Sequence, residues 1–235
     1  MRFIYLFLIF ALSAFSSEYY AKLEPIQTYK IKASVNGRVV FSNEKIEGLM
    51  ASGTSVIEID SFLEKMELIQ VKSKLDLVSK MLDIEAQNYK RLSKVKTRSA
   101  FEKDTQLLKS LNLESSKADL LIRQAVLKDT IENKKLVEKN RYIYNINVKK
   151  GDYVMPGTLL YEAKDLSRGK LEIFVPINDA KSLKNKTIYL NDEKTNLKID
   201  KIFQVGHQKH ISSYKVDIIV QNPKIFSRLV KIEFK

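Results

Sequence analysis

Two stretches decide how this chain folds: SGTSVIEID, from Ser52 to Asp60, and PGTLLYEAKD, from Pro156 to Asp165. They share the pattern G-T-x-(V/L)-(I/Y)-E, and Gly53 and Gly157 lead into alternating positions that put Val56 and Leu160 on an inner face. A glycine before such a strand serves a turn that needs positive φ. Each stretch follows another strand-like run, Gly37–Phe41 and Tyr142–Val148. Half-units this small bury no core alone, so the two must meet in space although about 104 residues separate them.

The separating segment is helical in pattern. From Thr54 to Lys150 there is neither Gly nor Pro, while five of the seven Gly lie just outside, at 37, 48, 53, 151 and 157. Leu68, Val71, Leu75, Val78, Leu82, Glu85, Tyr89 and Leu92 alternate steps of three and four, the spacing of a coiled-coil seam. That stripe serves either the hairpin's own seam, the reading we favour, or contact with a neighbour. Further on, Leu108, Leu111, Ala118, Leu121, Ile122 and Ala125 form a second stripe whose alanines would admit a close partner helix. KVKTRSAFEKD breaks the two, with Ser99 and Glu102 spaced as a capping box. An antiparallel hairpin is expected, its first arm running from Ser61 to Lys96, about 54 Å at 1.5 Å per residue.

Beyond Asp165 come strand candidates at Lys170–Val175, Thr187–Leu190, Leu197–Val205, Tyr214–Val220 and Leu229–Phe234, with a short helical piece at Asn178–Leu183. Short strands with turns between them imply a small β-barrel. At the other end, Arg2 precedes an uncharged apolar run from Phe3 to Phe15, with Ala14 and Ser16 at the small-residue positions of a cut after Ser16. The run is shorter than a bilayer span and reads as a signal peptide, with an uncleaved membrane anchor as the alternative. The expected organisation is α+β: a leader at 1–16, an N-terminal segment at 17–29 available to add a strand to the barrel, a split β-domain at 30–60 and 141–165, the α-helical hairpin at 61–140, and the barrel at 166–235.

The chain of 235 residues has no Cys, which excludes disulfides, thiolate metal sites and a cysteine nucleophile. Its formal net charge of +13 comes from Lys scattered along the whole length, so basicity alone names no partner.

VNGRVV (35–40), EGLMASGTSVIEID (47–60) and INVKKGDYVMPGTLLYEAKDLSRGKLEIFVPINDA (146–180) resemble the periplasmic adaptor, or membrane fusion, proteins of bacterial tripartite efflux pumps and exporters. The resemblance covers the chain from about Lys30 to its end. It implies that the split domain is a lipoyl-like β-sandwich, with Gly37, Gly53, Gly151 and Gly157 at its turns. It also implies a periplasmic subunit that is not an enzyme. Such a subunit bridges an inner-membrane transporter and an outer-membrane channel as a homo-oligomeric ring, a hexamer being one form, and is held at the inner membrane through its partner. A transporter of the resistance-nodulation-division type, exporting drugs or other toxic small molecules, is the first expectation. An ATP-driven exporter or type I secretion system is the second, and an envelope coiled-coil scaffold without a transporter is the alternative from another class. Arg91-Leu92, Val95 and Ala100-Phe101 fall where channel-engaging adaptors carry such residues, and Glu102 matches that pattern too, whereas Ser99 does not sit where it places a serine; the expected channel-binding tip is Arg91, Leu92, Val95, Arg98 and Ser99. LVEKNRYIY (136–144) replaces the family's Ala-Pro turn and Gly, so the return strand is expected to enter differently, and no membrane-proximal domain is expected after the barrel.

Other chemistry finds little footing. Lipoyl and biotinyl carriers present a modified Lys at a tight hairpin tip, but here that tip opens into the helical insert at Asp60 and Ser61, so no cofactor is expected. Ser-x-x-Lys occurs four times, at Ser42, Ser93, Ser167 and Ser212, as chance spacing in a Lys-rich chain. His207 and His210 lie in a polar turn without a carboxylate nearby and read as a solvated loop, and the Met at 50, 66, 81 and 155 are dispersed, so no metal site is expected. From Lys90 to Ala100 there are five basic residues and no acid. This is either a solvated turn or a basic tip steered toward an acidic channel mouth. Nucleic acid is not expected, since only Tyr89 and Phe101 flank the charge.

Overall fold

The structure, a computed structural model, describes residues 17–206 and 210–235; the expected leader at 1–16 and His207 lie outside them. In chain order come β1 (Glu18–Lys22), β2 (Glu24–Lys32), β3 (Gly37–Ser42), β4 (Met50–Ile59), α1 (Phe62–Ser93), α2 (Ala100–Asn133), β5 (Lys135–Ile146), β6 (Tyr153–Val154) and β7 (Leu159–Pro176). A short helix α3 (Ile177–Ala180) follows, then β8 (Ile188–Leu190), β9 (Glu193–Lys194), β10 (Ile199–Ile202), β11 (Ser213–Gln221) and β12 (Leu229–Phe234). The chain divides into two compact units: residues 29–163, and residues 164–235 with the segment before Tyr29.

In the first unit the two half-motifs share one core. Val39, Val56, Ile57 and Ile59 from before the helices pack with Ile143, Val148, Val154 and Leu160 from after them. The ladder runs β5-β4-β3-β6, antiparallel throughout, and Asn147 N–H donates to Leu160 O at 2.8 Å where β7 begins. Val56 and Leu160 are both fully buried, as expected, but so are their neighbours Ile57 and Tyr161, which strict alternation would turn outward. All four expected turn glycines take positive φ, but they are not equivalent: Gly157 is in the turn before β7, whereas Gly53 is an unpaired bulge inside β4, where the register shifts between Ser52 and Thr54. Gly37 is fixed by space. A Cβ there would come within 2.6 Å of Ile59 Cγ2. The return strand β5 starts at Lys135, earlier than the expected 141, because α2 ends at Asn133; its bulge is made by Asn140 at φ 60°, a residue type that tolerates that conformation.

The helices α1 and α2 form the hairpin. α1 ends at Ser93, three residues short of the expected Lys96. Its seam is the expected one: Val71 is buried, and Leu68, Leu75, Val78, Leu82, Glu85, Tyr89 and Leu92 are half-buried. On α2 the expected stripe faces the other way. Leu108, Leu111, Leu121 and Ile122 are exposed, as are Ala118 and Ala125. The seam is made instead by Gln106, Ser110, Leu113, Lys117, Leu120, Gln124, Leu127 and Ile131, a heptad repeat in which half the positions are polar.

The second unit has two sheets over one core that includes Leu171, Ile173, Val216, Ile218, Val230, Ile232 and Phe234. One sheet has the order β1-β12-β8-β9, and β1 pairs antiparallel with β12, Tyr20 opposite Lys231. The other contains β10-β11-β7. A small β-barrel is expected here, and its closure is not shown: among the described residues β9 and β10 do not pair. Asn191 (φ 50°) and Asp192 (φ 71°) turn β8 back into β9 as a two-residue hairpin, so both strands are short, and Thr195–Lys198 reach β10 with no ladder.

Candidate functional site

The hairpin tip is built by a capping box. Ser99 Oγ accepts from Glu102 N–H at 3.2 Å, and Glu102 Oε2 accepts from Ser99 N–H at 3.0 Å. Arg98 adds an ion pair to Glu102 at 3.0 Å. These bonds from Ser99 and Arg98 hold the Glu102 carboxyl below its usual range. Arg98 and Ser99 therefore serve the local turn whatever else they touch. Arg91 and Leu92 lie in the last turn of α1, with Arg91 donating to Gln87 O at 3.4 Å and Asn88 Oδ1 at 3.2 Å. Val95 lies past the helix end, its N–H on Leu92 O at 3.1 Å, so it does not continue the helical face of Arg91 and Leu92 as the longer arm predicts. What the turn presents outward is Val95, exposed, and Phe101, 79 % exposed. Phe101 is not among the five expected channel-binding residues, although Ala100-Phe101 belongs to the resemblance that pointed to the tip. Its signal is positional: it precedes Gln106 by five residues and so falls off the α2 seam.

The hairpin root is closed by Lys134, which sequence reasoning missed. Lys134 follows α2, its side chain is 7 % exposed, and Nζ donates to Asp60 O at 2.6 Å and Glu64 Oε1 at 2.5 Å. It continues the heptad of Leu113, Leu120 and Leu127, which is why it points inward. Burial alone would raise the Glu64 carboxyl, but the Lys134 bond and charge outweigh it and hold Glu64 below its usual range. Along the arms, Arg123 pairs with Glu67 at 2.6 Å, and Gln106 donates to the Glu85 carboxylate, bringing Glu85 of the seam a partner. In the split β-unit, Tyr161 is fully buried and donates to Glu138 Oε1 at 3.1 Å; burial and that carboxylate push its phenol upward, and Arg141 pairs Glu138 at 3.2 Å.

The outer faces of both helices carry apolar side chains among charged ones. On α1, Phe62, Met66, Ile69, Leu77 and Ile84 are exposed, away from the seam; on α2, Leu108, Leu111, Ile122 and Val126 are. Among the described residues no group of three or more His, Cys, Asp or Glu could hold a metal ion, and no helix is long and apolar enough to cross a membrane. His210 is more than a solvated loop residue, since its ring stacks on Phe174 with centroids 4.0 Å apart.

No protein-family model and no curated protein sequence matches the chain. Solved structures do. A MacA-MexA chimeric protein containing the Pseudomonas aeruginosa MexA α-hairpin domain aligns with a TM-score of 0.71 at 17% identity, over 94% of this chain and 81% of that one. The membrane fusion protein Spr0693 from Streptococcus pneumoniae R6 aligns with a TM-score of 0.68 at 10% identity, over 94% and 99%. MacA from Actinobacillus actinomycetemcomitans aligns with a TM-score of 0.57 at 18% identity, over 94% and 78%. The split β-unit, its helical hairpin and the following two-sheet unit are thus together the fold of the membrane fusion, or periplasmic adaptor, proteins.

Proposed function

We propose that this chain is a non-enzymatic periplasmic adaptor that joins an inner-membrane transporter, of the resistance-nodulation-division type, to an outer-membrane channel for export of drugs or other toxic small molecules. The observation that carries the reading is the hairpin: two helices of 32 and 34 residues whose tip is basic and exposes Val95 and Phe101. Cations beside apolar anchors suit docking against helix ends, where Arg91 can fork onto a carboxylate or a C-terminal carbonyl and Leu92 can fill a groove.

The outer faces support assembly into a ring. The α1 and α2 stripes lie on opposite edges of the hairpin, so one copy meets the next through unlike surfaces, and a heterologous contact of that kind generates a closed ring when its rotation closes.

The test is crosslinking of tip variants to the channel, read beside drug sensitivity. Leu92→Asp and Arg91→Glu are expected to leave a folded, exported protein that no longer engages the channel, with Arg91→Glu worse than Arg91→Ala because repulsion is added. If Leu92→Asp and Arg91→Glu both still crosslink and still confer resistance, the tip is a solvated turn. Deleting the gene should sensitise cells as much as deleting the transporter does; full resistance, with no second adaptor encoded, would favour the scaffold reading.

A further inference from the structure

The open side of the second unit holds a cleft of about 1230 Å³, larger than the roughly 300–1,000 Å³ of ordinary small-molecule sites. Its floor is apolar: Leu183 and Ile188 are buried, and Leu197, Ile199, Ile202 and Tyr214 are half-buried. Its rim is cationic. Lys181, Lys184, Lys186, Lys194 and Lys198 surround it, and Asp200 is the one carboxylate on the lining. None of the five lysines forms an ion pair among the described residues, whereas Lys231 and Lys235 of the same unit crowd onto Glu233. The cleft therefore joins two properties that seldom coincide on a surface without a ligand: a depression lined by aliphatic side chains and an unneutralised ring of positive charge.

We propose that this cleft binds a single anionic amphiphile, its chain along Leu197, Ile199 and Ile202 and its headgroup among the rim lysines. Two alternatives fit less well. A peptide adding as a strand would need a long free edge, but β10 has four residues and β9 two, which offer few ladder bonds. A flat bilayer surface would meet the lysines and leave the floor empty. Charge complementarity selects the head, apolar lining takes the chain, and the volume accommodates both in one molecule. The inference stands on the second unit alone and does not require that the chain serve in a pump.

Calorimetry on the mature full-length protein tests it, using dodecyl phosphate below its micelle concentration. One molecule should bind per chain, with dodecyltrimethylammonium and inorganic phosphate each at least tenfold weaker. The reversal K184E/K186E/K198E, at three exposed positions, should weaken dodecyl phosphate at least tenfold with an unchanged circular dichroism spectrum. Leu197→Ser should weaken dodecyl phosphate while leaving inorganic phosphate unaltered. Equal binding of the cationic amphiphile, or an unaffected triple reversal, overturns the proposal. So does flotation with anionic vesicles without uptake of monomeric dodecyl phosphate, or an acidic peptide that binds where dodecyl phosphate does not.

Discussion

Thirteen buried apolar residues close the split β-unit, whereas helices of 32 and 34 residues bury only Val71, Ser110 and Leu127. The β-unit is thus finished on its own. The hairpin is held mainly along one seam whose α2 side is half polar, and is pinned at its root, while long apolar side chains such as Leu77, Ile84 and Ile122 stay in water. A domain that completes its core needs no neighbour; a two-helix ribbon with apolar outer edges gains by acquiring one.

The sharpest way to break that contrast is to put a charge into each region in turn. Leu160→Asp, at a fully buried position, should cost upward of about 4 kcal/mol and unfold the β-unit, read by urea denaturation. Val71→Asp in the hairpin seam should cost about 3 kcal/mol, appearing as lost helix signal and a lower Tm while the β-unit persists. Lys134→Met removes the donor shared by Asp60 and Glu64 and should cost about 1–3 kcal/mol, with hydrogen exchange rising first at the hairpin root. A smaller effect depends on pH. Lys235 and Lys231 hold the Glu233 carboxyl down to about 2 from its usual 4.5, so its stabilisation is complete above that usual value and fades as pH falls from 4.5 toward 2. Glu233→Gln should flatten the acid limb of the stability curve in that window and nowhere else. Smallest for the monomer is Ile69→Asp with Ile122→Asp: stability within about 0.5 kcal/mol of the wild type, yet self-association lost in sedimentation analysis. If that pair unfolds the monomer instead, the outer faces are not free edges.

The same contrast explains what could be read from residues alone. In SGTSVIEID and PGTLLYEAKD the alternation was enough to place Val56 and Leu160 inside, but it did not reveal that their neighbours Ile57 and Tyr161 are also fully buried, Ile57 beside a register shift between Ser55 and Ile57. On α1 the apolar heptad coincides with the seam, so spacing sufficed. On α2 two stripes compete, and the more apolar one points outward, because Gln106, Ser110, Lys117 and Gln124 occupy seam positions. Leu113, Leu120 and Leu127 at strict sevens held the answer, and the same count leads to Lys134. The tip was legible as a basic break with a capping box, but not the early end of α1 that detaches Val95 from its helical face, nor the exposure of Phe101. The open side of the second unit was hidden for a different reason: strand candidates are visible in sequence, but whether short edge strands meet depends on where a tight turn such as Asn191-Asp192 spends their length.

Lys134 also sets a mechanical scale. An arm of 32 residues reaches about 48 Å at 1.5 Å per residue, so each degree of rotation at its base swings the far end by about 0.8 Å, and five degrees carry it about 4 Å, beyond the reach of any hydrogen bond it was making. A lever of that length transmits aim only as well as its pivot is locked. The buried ammonium that ties Asp60 and Glu64 together is therefore a gunsight for a turn most of the hairpin away, and loosening it would scatter the tip without touching a residue there.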